Sequence, residues 1–354
     1  MEYDTMAARP NKRTRTSTAA RGWSNLSSEI GGVILSRMPF LADRARFSSV
    51  CRQWRHAADQ WRILPPALPW LTTSYKCVFV GFPDGARHSL PVHIHARSWE
   101  AFDRMVLPSG EIHRLVVCPG GELVAAMGYI DGHYNLAICR PGARSWSPAP
   151  RCPGYEDRGL LDIALHHGKL YALYDRDTLC AYDLAAAGEP GASVRLCIAG
   201  SDRPKKTEAE ARFSRMYFPE RHYLVPSPSH GGRLLLVRSK GGEKFDVFEA
   251  DDDSGRWTVV TSLADDEALF LGAQGSRGLQ TGSRYGGGGV RGNRIYFACE
   301  TDRRVIVFRG DIPASLGVYD MSSKKIFEIG LPRGSFVDDC TPTGSWIFPS
   351  TADL

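Results

Sequence analysis

The sequence has no run approaching the roughly 20 apolar residues that cross a bilayer, and its first residues lack the apolar core of a secretion signal. A soluble intracellular protein without a membrane partner is therefore expected. The nine cysteines (Cys51, Cys77, Cys118, Cys139, Cys152, Cys180, Cys197, Cys299 and Cys340) are odd in number, widely scattered and nowhere spaced as Cys-x-x-Cys. That argues against a disulfide framework and a structural zinc site. It fits a reducing compartment, nucleus or cytoplasm, where most thiols serve as small buried apolar groups. Charge of one sign is also scarce: 44 Lys and Arg stand against 39 Asp and Glu, too even a balance for a nucleic-acid footprint. The clearest basic cluster, Arg9, Lys12, Arg13 and Arg15, lies in a Thr/Ser/Ala-rich stretch without apolar periodicity. Residues 1–21 are read as a disordered basic arm, with the composition of a nuclear-import signal or of a merely solvated run.

Catalytic signatures are equally thin. No Gly-x-Ser-x-Gly elbow occurs. The glycines at 286–289 and Gly292 run into a strand-like segment, Arg294 to Ala298, and not into a helix with a Lys, so they make no phosphate cradle. His93 and His95 share a strand face but have no third ligand nearby, and His166 and His167 point to opposite faces if extended. Asp251, Asp252 and Asp253 have the composition of a solvated hairpin end, without the spacing of a calcium loop. No cofactor, no metal and no catalytic residue are expected.

With 36 Gly and 22 Pro the chain holds too many helix breakers for a helical bundle, while 43% hydrophobic residues exclude wholesale disorder. The breakers are unevenly placed. Between Trp23 and Trp61 they are only Gly31, Gly32 and Pro39, and there apolar residues recur at helical spacing. Ile30, Ile34 and Met38 fall at i, i+4 and i+8 with Leu35 beside them, Ser27 and Ser28 offer an N-cap, and Glu29 suits the first turn. Pro39 is expected to end that helix. A second begins at Asp43, and Val50, Trp54, Ala57 and Trp61 form one face of a third. Three short helices need a partner, in this chain or another. Each glycine inside the first helix should cost roughly 1 kcal/mol relative to Ala.

This segment resembles the F-box, the motif that docks a substrate receptor onto the Skp adaptor of a Skp-cullin-F-box ubiquitin ligase. The matching residues are Leu26, Glu29, Ile30, Ile34, Leu35, Met38 and Pro39, then Phe47, Val50, Cys51, Arg52, Trp54 and Arg55. Ser27 stands where the family usually has Pro. The resemblance implies adaptor binding by Leu26, Glu29, Ile30, Ile34, Leu35, Met38, Pro39, Val50, Cys51 and Trp54. Of these, Leu26, Ile30, Ile34 and Pro39 suit the interface itself, while Val50 and Trp54 suit the core of the helical unit.

Beyond a Pro-rich connector at 63–72 the sequence becomes short apolar runs separated by Gly, Pro, Asp and Ser. Four segments share one grammar: Gly, a strand, a polar turn, then a second strand ending in an aromatic and an acid. Their anchors are Gly121, Gly168, Gly232 and Gly292, and short third strands follow around Trp146, Trp257 and Phe327. The spacing points to a Kelch- or WD-like β-propeller of about six blades, with a pair of β-sandwiches as the alternative. The expected class is therefore α+β and multidomain: an F-box at 22–62, the connector, an all-β propeller at 73–350 and a tail at 351–354. The runs PPALPWL (65–71), FPDGARHSLP (82–91), ALFLG (268–272), VRGNRIYF (290–297), LGVYDM (316–321) and SWIFPS (345–350) are similar to plant F-box proteins with a C-terminal KIB-type propeller. That resemblance implies a non-catalytic receptor with a Skp-type adaptor, cullin and an unidentified substrate protein as partners, and no nucleic acid. A Kelch-type propeller enzyme and an F-box protein acting outside a ligase are the rival readings.

Overall fold

The computed structural model describes residues 23, 26–61, 67–73, 78–82, 85–89, 111–118, 123–130, 133–140, 146–156, 158–183, 193–200, 220–240, 243–272, 275–281, 289–298, 316–329 and 342–348. The expected basic arm, the C-terminal tail, His93, His95 and the glycines at 286–288 lie outside them.

Three helices come first: α1 (Ser28–Ser36), α2 (Leu41–Ser49) and α3 (Arg52–Gln60). Ser27 caps α1 as the sequence predicts, its hydroxyl accepting from the Ile30 amide at 3.4 Å. Two expectations are corrected. α1 ends at Ser36, so Met38 and Pro39 follow it, and α2 begins at Leu41. The buried face of α1 is also not the Ile30/Ile34/Met38 stripe: it is Gly31, Gly32 and Leu35. The two glycines are the reason. A Cβ on Gly31 would lie 2.8 Å from Cβ of Ala57, and one on Gly32 would overlap the Trp61 indole. Their bare backbone lets α3 approach α1, and the Trp61 Nε1–H donates to the Ser28 carbonyl at 2.9 Å. The helix-propensity cost expected of both glycines is thus exchanged for helix-helix contact.

The helical unit is seated on the sheets. The Leu68 amide donates to the Pro39 carbonyl at 2.8 Å, Leu41 clusters with Ala67 and Trp70, and Phe40 packs against the neighbouring sheet core. The connector is shorter than the sequence implied, because Trp70 and Leu71 already belong to a strand.

Five sheets follow. The first contains β1 (Trp70–Thr73), β2 (Val78–Gly81) and β3 (Arg87–Ser89), and the second β4 (Glu111–Val117), β5 (Val124–Ile130), β6 (His133–Cys139) and β7 (Ser147–Pro148). The third holds β8 (Leu160–His166), β9 (Lys169–Tyr174), β10 (Thr178–Tyr182) and β11 (Val194–Ile198). The fourth is β12 (Glu220–Ser227), β13 (Arg233–Lys240), β14 (Lys244–Asp251) and β15 (Arg256–Val260). The fifth comprises β16 (Glu267–Leu271), β17 (Arg277–Gln280), β18 (Arg294–Ala298), β19 (Leu316–Asp320) and β20 (Lys325–Glu328). The four hairpins and three short third strands expected from the sequence are β5–β6, β9–β10, β13–β14 and β18–β19, with β7, β15 and β20. Neighbouring strands are antiparallel except β16 and β18, which pair in parallel because the β16–β17 hairpin turns back on the outer side of β16. Finally β21 (Pro342–Ile347) pairs with β1 and completes the first sheet.

The third, fourth and fifth sheets each pack against a neighbour on both sides, the arrangement of propeller blades. Sheets two and three share one apolar cluster, three and four another, four and five a third. The fifth closes on the first around Phe82, Phe270, Tyr296 and Trp346, whose indole N–H donates to the Leu271 carbonyl at 2.9 Å. The first strands of adjacent sheets, β4, β8, β12 and β16–β17, then β21, run side by side. Polar ties cross the same seam. Buried Asp162 on β8 accepts from Arg114 of β4 and, at 2.7 Å, from the Leu224 amide of β12, so one carboxylate links three sheets. Burial pushes its carboxyl upward, against the pull of Arg114 and the two amides it accepts from. Glu267 of β16, fully buried, likewise accepts from Ser227 and Arg233 of the fourth sheet.

Candidate partner-docking surface

The solvent side of the helical unit carries apolar side chains that its own core does not need. Ile30 and Val33 on α1 are 54% and 48% exposed, and Val50 between α2 and α3 is 60% exposed. Leu26, Ile34, Met38, Pro39, Cys51 and Trp54 are half-buried, and Glu29 is exposed. The N-cap and first-turn chemistry fix the start of α1 and hold the Glu29 carboxyl below the ordinary carboxylate range, through its own backbone amide first and the Ser27 hydroxyl next. Trp54 is held by stacking on Phe47, centroids 4.5 Å apart, and by donating to the Trp23 carbonyl at 2.8 Å. Gln53 donates to the Leu26 carbonyl at 3.4 Å. The face is therefore built on helices whose mutual packing is set by glycines and indoles beneath it.

Two sequence expectations change here. Leu35, expected at the adaptor interface, is 1% exposed and serves the core of the unit. Val50, expected in that core, faces solvent, because Cys51 is extended and α3 starts only at Arg52. Val33 was missed. It stands three residues after Ile30 and so shares its face, a relation that the i, i+4 stripe passed over.

The remaining candidates change character in space. The His166 and His167 rings do not diverge. They stack with centroids 4.0 Å apart, because His167 takes φ 45° in the β8–β9 turn. The acidic run is a hairpin end as expected, with Asp251 accepting from the amides of Asp253 and Ser254, but Asp252 also pairs with Arg195 at 3.0 Å across the sheet boundary. Among the described residues the cysteines are free thiols, and Cys118, Cys139, Cys152, Cys180 and Cys197 are buried.

A family model described as KIB1-4 beta-propeller matches residues 32–320. No curated protein sequence matches. Similar solved structures include the β-propeller domain of Myceliophteria thermophila Cps50 (Swd1), at 14% identity and TM-score 0.26, with 52% of each chain covered. They also include the WD40 domain of SCAP from fission yeast, at 10% identity and TM-score 0.25, with 75% of this chain and 56% of that one covered. The match thus spans little more than half the length of either solved chain.

Proposed function

The chain belongs to the KIB1-4 beta-propeller family, and from that premise we propose that it is the substrate receptor of a Skp-cullin-F-box ubiquitin ligase. The helical unit docks the Skp-type adaptor and, through it, cullin. The propeller holds the substrate protein. The observation that carries this reading is the set Ile30, Val33 and Val50, which face solvent on a unit whose own core is already closed by Leu35, Phe47 and Ala57. Ile30 and Val33, three residues apart on α1, share one face, and exposed apolar side chains paired in this way suit a surface that another protein covers. The chain supplies no bond chemistry. It raises the effective concentration of substrate lysines at the conjugating enzyme.

Affinity capture of the tagged chain with the proteasome blocked, followed by mass spectrometry, tests the reading. Adaptor and cullin should be recovered with the wild-type chain and lost together with Ile30→Asp. Recovery unaffected by that change refutes the docking face, and adaptor without cullin places the protein outside a ligase.

A further inference from the structure

The β9–β10 turn differs from the other tight turns among the described residues. Arg176 and Asp177 both take φ 62°, two consecutive non-glycine residues in the left-handed region. Such a conformation persists only where the surroundings impose it. Here they do, and nearly every polar group of the turn is occupied. The Asp175 amide donates to the Gly159 carbonyl at 2.8 Å, and the Asp175 carboxylate accepts from the Gly159 amide at 3.1 Å. Arg158 donates to the Asp175 and Ala199 carbonyls and to the Thr178 hydroxyl. Arg238 of β13 clamps the Asp177 carboxylate with two N–H groups, and Trp257 of β15 donates to the Asp177 carbonyl at 2.7 Å. On the remaining side Gly200 lies so close that a Cβ there would strike the Arg176 carbonyl.

One side chain is left over. Arg176 is half-buried, yet among the described residues it has no hydrogen bond or ion pair. The two carboxylates of the turn are engaged elsewhere, Asp175 by the Gly159 amide and Asp177 by Arg238 and, at 3.7 Å, by His222, so neither pairs with Arg176. A guanidinium fixed on a rigid turn, partly desolvated and unpaired, is suited to a bidentate oxyanion partner.

We propose that the Asp175–Asp177 turn is the propeller's substrate-recognition element, with Arg176 pairing to a carboxylate or phosphate on an acidic peptide segment. The inference rests on the substrate-receptor reading and gives it a substrate class. Gly at position 176 would relieve the strain of φ 62° but would remove the contact group.

The test uses the full chain and three labelled twelve-residue probes, a Glu/Ser peptide, its Gln/Ser counterpart and its phosphoserine form, read by fluorescence anisotropy. The wild-type chain should bind one or both anionic peptides at least about tenfold more tightly than the Gln form, and the two anionic arms tell carboxylate from phosphate recognition. Arg176→Gly should abolish that preference while leaving the thermal midpoint unchanged or raised, because Gly suits φ 62°. Lys324→Gly is the matched control, since Lys324 also takes a positive φ, 56°, in the β19–β20 turn and loses the same charge. It should change binding less than about twofold. Equal losses at both positions, no preference for either anionic peptide, or no loss at Arg176 would overturn the inference. Adaptor capture by the same variants separates the two claims. Capture kept with Arg176-independent peptide binding sinks only this inference, and Arg176-dependent binding without capture sinks only the ligase reading.

Discussion

Gly32→Ala turns the helix-helix packing into a question of sign. Helix propensity alone makes the substitution favourable by about 1 kcal/mol. The structure predicts the opposite, because the new Cβ would overlap Cδ2, Cε2 and Nε1 of Trp61. The indole is 36% exposed and can swing outward, but only by giving up its 2.9 Å bond to the Ser28 carbonyl and its contact with α1. Overpacking of this kind costs about 1–3 kcal/mol and the lost hydrogen bond about 1. Set against the propensity gain, the net is a destabilisation of about 1–3 kcal/mol. Hydrogen exchange read by mass spectrometry over α1 and α3 measures it locally, since amide protection reports the opening free energy of that unit. In a Trp61→Ala background the obstacle is gone, and Gly32→Ala should become stabilising by about 1 kcal/mol. Greater α1 protection in the single variant, or the same sign in both backgrounds, would refute the packing argument.

Three further outcomes follow from the sheets. Asp162→Asn leaves Arg114 buried without its carboxylate and should cost about 3–5 kcal/mol in urea unfolding, most of it recovered when Arg114 is also replaced by Met. Trp346→Ala removes the buried indole and its bond to Leu271 from the seam where β21 joins β1; a loss of about 3–5 kcal/mol and faster proteolysis at the C-terminal end are expected. Burial, and next the neighbouring His167, pull the His166 imidazole down to about 4. Its folded value lies below the unfolded value near 6.5, so the unfolded chain takes the proton first. Stability is full above about pH 6.5 and declines as the pH falls toward about 4, a slope that His166→Gln should flatten in denaturation midpoints measured against pH.

The hairpins were legible because their grammar has a physical cause. In two of the four hairpins the acid that ends the second strand accepts turn amides: Asp251 takes those of Asp253 and Ser254, and Asp320 those of Ser322 and Ser323. The strands that precede the hairpins, β4, β8 and β12, carry no such signature, and β1 was hidden by the prolines before it. The tie from Arg114 through Asp162 to the Leu224 amide joins positions far apart in sequence, and no local pattern announces it. On α1 the stripe failed for a different reason. Periodicity counts side chains, and the buried face of this helix is made largely of glycine. Leu35 and Ile30, which the apolar stripe puts on one face, lie on two. The corner around Arg176 was invisible to the sequence because its meaning lies in which partners every neighbouring group already has. The repeat length predicted about six blades, and the described residues form five sheets.

The central claim is that the exposed face of α1 binds a Skp-type adaptor, and size-exclusion chromatography with light scattering on the purified pair tests it most directly. Ile30→Asp is the decisive variant. An acidic residue in the first turn of α1 is favoured by the helix dipole, and Ile30 is exposed, so the unit stays folded while the docking face gains a charge that binding would have to bury. The account predicts a one-to-one complex for the wild-type chain and none for Ile30→Asp at the same concentration and unchanged melting. A complex that survives Ile30→Asp, or a wild-type chain that forms none, would contradict it.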